Sequence, residues 1–274
     1  MRRGRRNAAR LAHPEPMDRI PDYMIRPPHA FILAAVLASA CVSLQPPGPG
    51  PAVPDSPQPA SFSTAAALDA LPAGWKPFTI TRFKKPTEYR LVALEGTVAL
   101  RAIADSSASG IQFDTVADLN EYPWLTWKWK VPELNGLADN TLAHAEDSPA
   151  RVIVVFEGDR ERLPEGERIN YDLAKAMNGR GLPYATLMYI WENRLPEGSI
   201  IRHHRTTRIK MIVAGSGTKD LGAWHEERVN VLADYRRAFG EEPPRVRAVG
   251  IMSDSDNTGA RTVAYFGDIR FERD

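Results

Sequence analysis

Alternation is the dominant hydrophobic pattern of this chain. In "LTWKWKV", Leu125, Trp127, Trp129 and Val131 fall on one face and Thr126, Lys128 and Lys130 on the other. That period of two predicts a strand with one buried and one wet face. "RVIVVF" (151–156) is apolar at every position after its arginine, which predicts a central strand covered on both sides. Similar runs predict further strands at 88–93, 98–104, 111–114, 186–192, 208–213, 246–253 and 261–271. Helical spacing occurs twice. "NYDLAKAMNG" (170–179) has Asn170 as its cap and a terminal Asn-Gly, and "NVLADYRRAFG" places Val231, Leu232, Tyr235 and Phe239 along one face before Gly240. Many strands with few short helices predict an all-β fold, a jelly-roll β-sandwich with helical insertions. A doubly wound α/β fold would need a helix after nearly every strand.

Composition adds an address. Residues 30–40, "AFILAAVLASA", are too few to span a bilayer as a lone helix but suit the core of a signal peptide. "ASAC" follows, and Cys41 is the only cysteine, so it reads as the lipidated residue of a lipobox, although Ala38 stands where leucine is usual. Met24 makes a more economical start than Met1, with one arginine ahead of the apolar run. Residues 1–41 are thus expected to be a signal peptide. Residues 42–61, with seven prolines between 42 and 60, are expected to be an extended tether, and 62–274 a single sandwich domain. Downstream of Cys41 the chain has 28 basic against 31 acidic side chains, which gives no electrostatic case for nucleic acid. One cysteine excludes an intramolecular disulfide.

The segments "WLTWKWKVP", "EDSPARVIVVF", "YIWEN", "GAWHEERVNVLADYRRAFG" and "GIMSDSDNTGARTVAYFGDIRF" resemble the domain-of-unknown-function family 3047 of bacterial proteins, over about residues 75–271. The closing "GDIRF" also resembles the last strand of galactose-binding-like jelly-roll carbohydrate-binding modules. That second resemblance implies a fold, and a sugar ligand only by analogy.

Chemistry concentrates in "SDSDNTG". Asp254 and Asp256, joined by Asn257, imitate the first half of a calcium loop, because oxygens at alternating positions before a glycine can wrap a hard cation. The second half fails, since the twelfth position is Tyr265 rather than a glutamate. The same residues suit an ion-free hairpin turn between 246–253 and 261–271, the reading their turn chemistry favours. Among the aromatics, Trp127 and Trp129 share the buried face of their strand. Trp124 lies on the opposite face, and Tyr189 and Trp191 share one face of theirs, where rings could stack on a sugar. Asp147 joins them as an expected ligand residue; its plainer role is to cap, with Ser148, the turn into "RVIVVF". His203 and His204 are adjacent, and on a strand they would point to opposite faces.

These readings converge on an exported, lipid-anchored binding module of the bacterial envelope, periplasmic or outer-membrane-associated, that recognises a glycan or envelope polymer. Calcium is the only cofactor they suggest. Two alternatives stay open: an envelope hydrolase using Asp254 or Asp256 with a distant carboxylate such as Glu146, Asp147 or Glu192, and a scaffold that binds another envelope protein.

Overall fold

The structure, a computed structural model, describes residues 57–178 and 181–273. Met24, Cys41 and the expected signal peptide lie outside the described residues. Twelve strands, β1 (Trp75–Thr79), β2 (Glu88–Leu94), β3 (Thr97–Asp105), β4 (Ala108–Ala117), β5 (Trp124–Lys130), β6 (Arg151–Glu157), β7 (Ala185–Glu192), β8 (Ile200–Arg202), β9 (Ile209–Ser216), β10 (His225–Asn230), β11 (Arg245–Asp254) and β12 (Arg261–Glu272), form two sheets. The larger has the order β1-β4-β11-β6-β7-β9-β8 and the smaller β10-β5-β12-β3-β2. Successive strands repeatedly change sheet, as from β4 to β5 to β6 and from β10 to β11 to β12, which makes this a jelly-roll β-sandwich.

Side-chain parity explains the layers. Val152, Val154 and Phe156 of β6, Leu187, Tyr189 and Trp191 of β7, and Val249 and Ile251 of β11 face the smaller sheet and pack on Trp127, Trp129, Phe266 and Phe271. Trp127 sits 5.3 Å from Tyr189, Trp127 meets Trp129 edge-on at 5.3 Å, and Trp129 meets Trp191 at 5.9 Å. These separations favour tilted and edge-to-face aromatic packing. The other face of the larger sheet carries a thinner apolar layer, with Ile153, Met252 and Ala108 packed on Phe78, Val155 and Met188. Gly110 is needed there, because a Cβ would lie 2.3 Å from the Phe78 ring and 2.5 Å from the carbonyl of Ile251. β6 is the central strand of its sheet, as its two-sided apolar pattern predicts.

Four expectations need correction. Residues ahead of 62 already pack on the domain: Thr115 donates to the carbonyl of Pro57, and Gln58 exchanges hydrogen bonds with the backbone of Phe271. Prolines that suit a free tether also suit an extended segment laid on a core. Three short strands were not predicted. β1 contains Pro77, β8 has three residues, and β10, "HEERVN", has almost no apolar pattern; each lies at a sheet edge, where pairing needs little burial. Helix α1 (Glu165–Asn178) starts five residues before Asn170, because its first turn, "EGERI", is charged and carries no apolar period. Finally, 255–260 is not a hairpin turn, since β11 and β12 belong to different sheets and the loop is an arch between them. Strand, polar turn and strand read alike for a hairpin and an arch. Helix α2 (Val231–Phe239) matches its pattern: Asn230 caps it by accepting from the Ala233 amide, and Gly240 ends it in the left-handed region at φ 71°.

Candidate functional site

The arch between β11 and β12 lies beside the start of β6, where the register pairs Met252 with Arg151. Alternation therefore puts Arg151, Met252 and Asp254 on the outer face of the larger sheet. Arg151 is fully buried and grips Asp254 twice, Nε to Oδ1 at 2.8 Å and Nη2 to Oδ2 at 3.1 Å. The same Nη2 also lies 3.3 Å from Asn140 Oδ1 and from the carbonyl of Glu146, which pins the β5–β6 connection over this face, and Nη1 donates to Met211 Sδ at 3.1 Å. Burial raises the Asp254 carboxyl to about 6, against the downward pull of Arg151.

Asp147 organises the arch. Its oxygens accept from the amides of Asn257 at 3.2 Å and Thr258 at 2.8 Å and from the Thr258 hydroxyl at 2.6 Å. Asp256 pairs with Lys84 at 2.7 Å. Asp147, Asp254 and Asp256 thus converge, with oxygens within 4.8 Å of one another. Asp254 and Asp256 are the carboxylates expected to meet. Asn257 instead donates its amide to the Glu146 carbonyl at 3.0 Å. The charge that would attract calcium is met by a guanidinium, an ammonium and three donors of the arch. Asp256 Oδ1 is the one oxygen of this trio without a partner.

Next to this ionic scaffold is a group of a different kind. Glu146 projects its carboxylate between two imidazoles, with Oε1 4.0 Å from His203 Nε2 and Oε2 3.7 Å from His204 Nε2. Burial raises the Glu146 carboxyl, opposed by the positive charges of Arg151, His204, Lys84 and Arg205. Burial lowers His203 to about 4, helped by Arg151, Arg205 and His204. His203 is therefore neutral at pH 7. Its Nδ1 accepts from the Arg205 amide at 3.2 Å, so its proton sits on Nε2, the nitrogen facing Glu146. Phe83, next to Lys84, presents a ring that is 73% exposed, with the Arg82 guanidinium 4.8 Å from its centre.

The residues predicted to bind a ligand do not come together. Tyr189 and Trp191 are buried between the sheets, where the Tyr189 hydroxyl donates to Asp234 and the Trp191 indole donates to the Gly217 carbonyl. The sequence placed them on a shared face correctly, but that face is the core. Trp124 does point away from the core, on the outer side of the smaller sheet, with the Arg228 guanidinium 3.8 Å from its ring centre. Only Asp147 lies in the cluster described here. Glu192 is buried and caps a turn by accepting from the amides of Arg194 and Leu195. Phe83, Lys84 and the Glu146–His203–His204 group escaped the sequence reading. Its strand argument separated the two histidines, yet β8 ends at Arg202, and in the bend beyond it both imidazoles reach one carboxylate.

A jelly-roll sandwich with a polar, partly open cluster on the outer face of its larger sheet is the class that fold and site define. The chain belongs to the family described as protein of unknown function (DUF3047), which it matches over residues 73–270. No curated protein matches it. Among solved structures, it is similar to a family 11 carbohydrate-binding module of a cellulosomal cellulase of Clostridium thermocellum. That match has 8% identity and a TM-score of 0.41, covering 82% of this chain and 97% of that one. A family 30 carbohydrate-binding module of another cellulosomal cellulase of Clostridium thermocellum shows 13% identity, a TM-score of 0.34 and coverage of 78% and 91%. Endoglucanase 3 of Trichoderma harzianum, from family GH12, shows 8% identity, a TM-score of 0.39 and coverage of 76% and 94%.

Proposed function

We propose that this protein is a glycan-binding module of the cell envelope, exported and held at a membrane by a lipid on Cys41. Its ligand lies over the outer face of the larger sheet, between Phe83 and Lys84 on one side and His203 and His204 on the other. The observation that carries the reading is the exposed ring of Phe83 beside fixed hydrogen-bonding groups, since saccharide recognition needs a flat apolar surface and placed donors and acceptors. The hydrolase alternative loses its expected acids, because Asp254 is locked to Arg151 and Asp256 is paired with Lys84. A scaffold that binds another protein through a sheet needs an exposed apolar sheet face. Three of the exposed apolar side chains, Ile169, Leu173 and Met177, instead lie along α1.

The reading is tested by pull-down of the full-length protein on an insoluble and immobilised panel: peptidoglycan sacculi, lipopolysaccharide, β-glucans, α-glucans, mannan and galactan. Retention by at least one polymer, weakened by Phe83→Ala, is expected. Retention by none of them overturns it.

A further inference from the structure

Glu146 holds its carboxylate beside two imidazoles without touching either. Its side chain is 13% exposed, and among the described residues no hydrogen-bond donor reaches either of its oxygens. The nearest donors, the two imidazole nitrogens, stop at 4.0 and 3.7 Å, beyond hydrogen-bond range. Neither oxygen is sealed from solvent, so a polar group arriving from outside can reach each one in place of water. Each gap suits one hydroxyl. An oxygen about 2.7 Å from the carboxylate and about 2.9 Å from the imidazole nitrogen bridges either separation at close to a right angle. There are two such gaps, one on each oxygen of the same carboxylate.

We propose that Glu146 grips a vicinal diol of the glycan. Oε1 and Oε2 accept from two neighbouring hydroxyls, and Nε2 of His203 and of His204 donate back to those hydroxyl oxygens. The tautomer of His203, fixed by the Arg205 amide on Nδ1, supplies the donor this requires. The inference rests on the glycan reading and narrows it to sugars with adjacent free hydroxyls. It excludes polymers whose neighbouring positions are closed by N-acetyl or ether groups. A divalent metal is the other occupant that two imidazoles and a carboxylate would suit. The positive charges of Lys84, Arg151 and Arg205, all acting on Glu146, oppose it.

The test uses the full-length protein, the same polymer panel, and a periodate-treated copy of each polymer, in which vicinal diols have been cleaved. Binding to a diol-bearing polymer should disappear on periodate treatment. Glu146→Gln should weaken it about tenfold or more, the scale of a charge-assisted hydrogen bond. His204→Ala should weaken it less, and neither variant should lower the melting temperature much, because burial already disfavours the ionised Glu146. Binding that survives periodate or Glu146→Gln overturns the diol assignment and leaves the glycan reading standing. So does binding confined to diol-free polymers. A rise in melting temperature with zinc that Glu146→Gln abolishes assigns the site to a metal instead. No binding to any polymer overturns both readings.

Discussion

Arg151 and Asp254 hold each other through two parallel hydrogen bonds on the outer face of the larger sheet, with the arginine side chain 1% and the aspartate side chain 7% exposed. The pair joins the start of β6 to the end of β11, and Arg151 also carries the loop that presents Glu146. Removing one partner strands the other charge away from water. Arg151→Met should therefore destabilise the protein by about 3–5 kcal/mol, whereas Arg151→Met with Asp254→Leu should recover much of that loss. Urea denaturation of the two variants checks this. Equal losses in both would show that the pair itself, rather than the stranded charge, supplies the stability.

Stability should depend on His203 between pH 4 and 6.5. Its folded pKa of about 4 lies below the ordinary value of 6.5, so the unfolded chain binds a proton that the folded chain refuses. The stability attributable to a neutral His203 is complete above pH 6.5 and lost as pH falls towards 4, by up to about 3 kcal/mol at ~1.4 kcal/mol per unit. Asp254 and Glu146, raised by burial, act in the opposite sense over part of that range. The difference between wild type and His203→Asn therefore isolates the histidine. A difference that does not change with pH would contradict the burial of a neutral imidazole.

Calcium should leave the melting temperature almost unchanged. A dication at Asp147, Asp254 and Asp256 would have to displace Arg151 and Lys84, which already neutralise two of these carboxylates. Melts with calcium and with chelator are compared. A calcium-dependent rise that Asp256→Asn abolishes would restore the cation loop that the sequence suggests.

Cys41→Ser should release the protein from the membrane fraction into the soluble extracytoplasmic fraction, because a lipid on this residue is the proposed attachment. Unchanged membrane association would overturn the anchor and leave the folded domain's ligand reading untouched.

The sandwich was legible in the sequence because its physics is local: alternation marked β5, two-sided burial marked β6, and Asn230 and Gly240 bracketed α2. What local pattern cannot carry is which face a sheet presents and where a loop folds back. Tyr189 and Trp191 share a face, as their spacing requires, but only the second sheet decides that this face is the core. Asp254 and Asp256 do meet, yet Arg151, 103 residues from Asp254, and Lys84 reach them through the tertiary fold alone. Glu146 likewise meets His203 and His204 only through the tertiary fold, from a connection without secondary structure. The tandem histidines were visible throughout, but their joint orientation was not.

The most direct measurement is hydrogen exchange of the full-length protein with and without the polymer fragment that it binds best. The account predicts added protection at 82–85, 144–148 and 203–206, around Phe83, Glu146 and His204, and no change at Trp124 and Arg228 on the opposite sheet. Protection confined to the Trp124 side would place the ligand on the smaller sheet and contradict it.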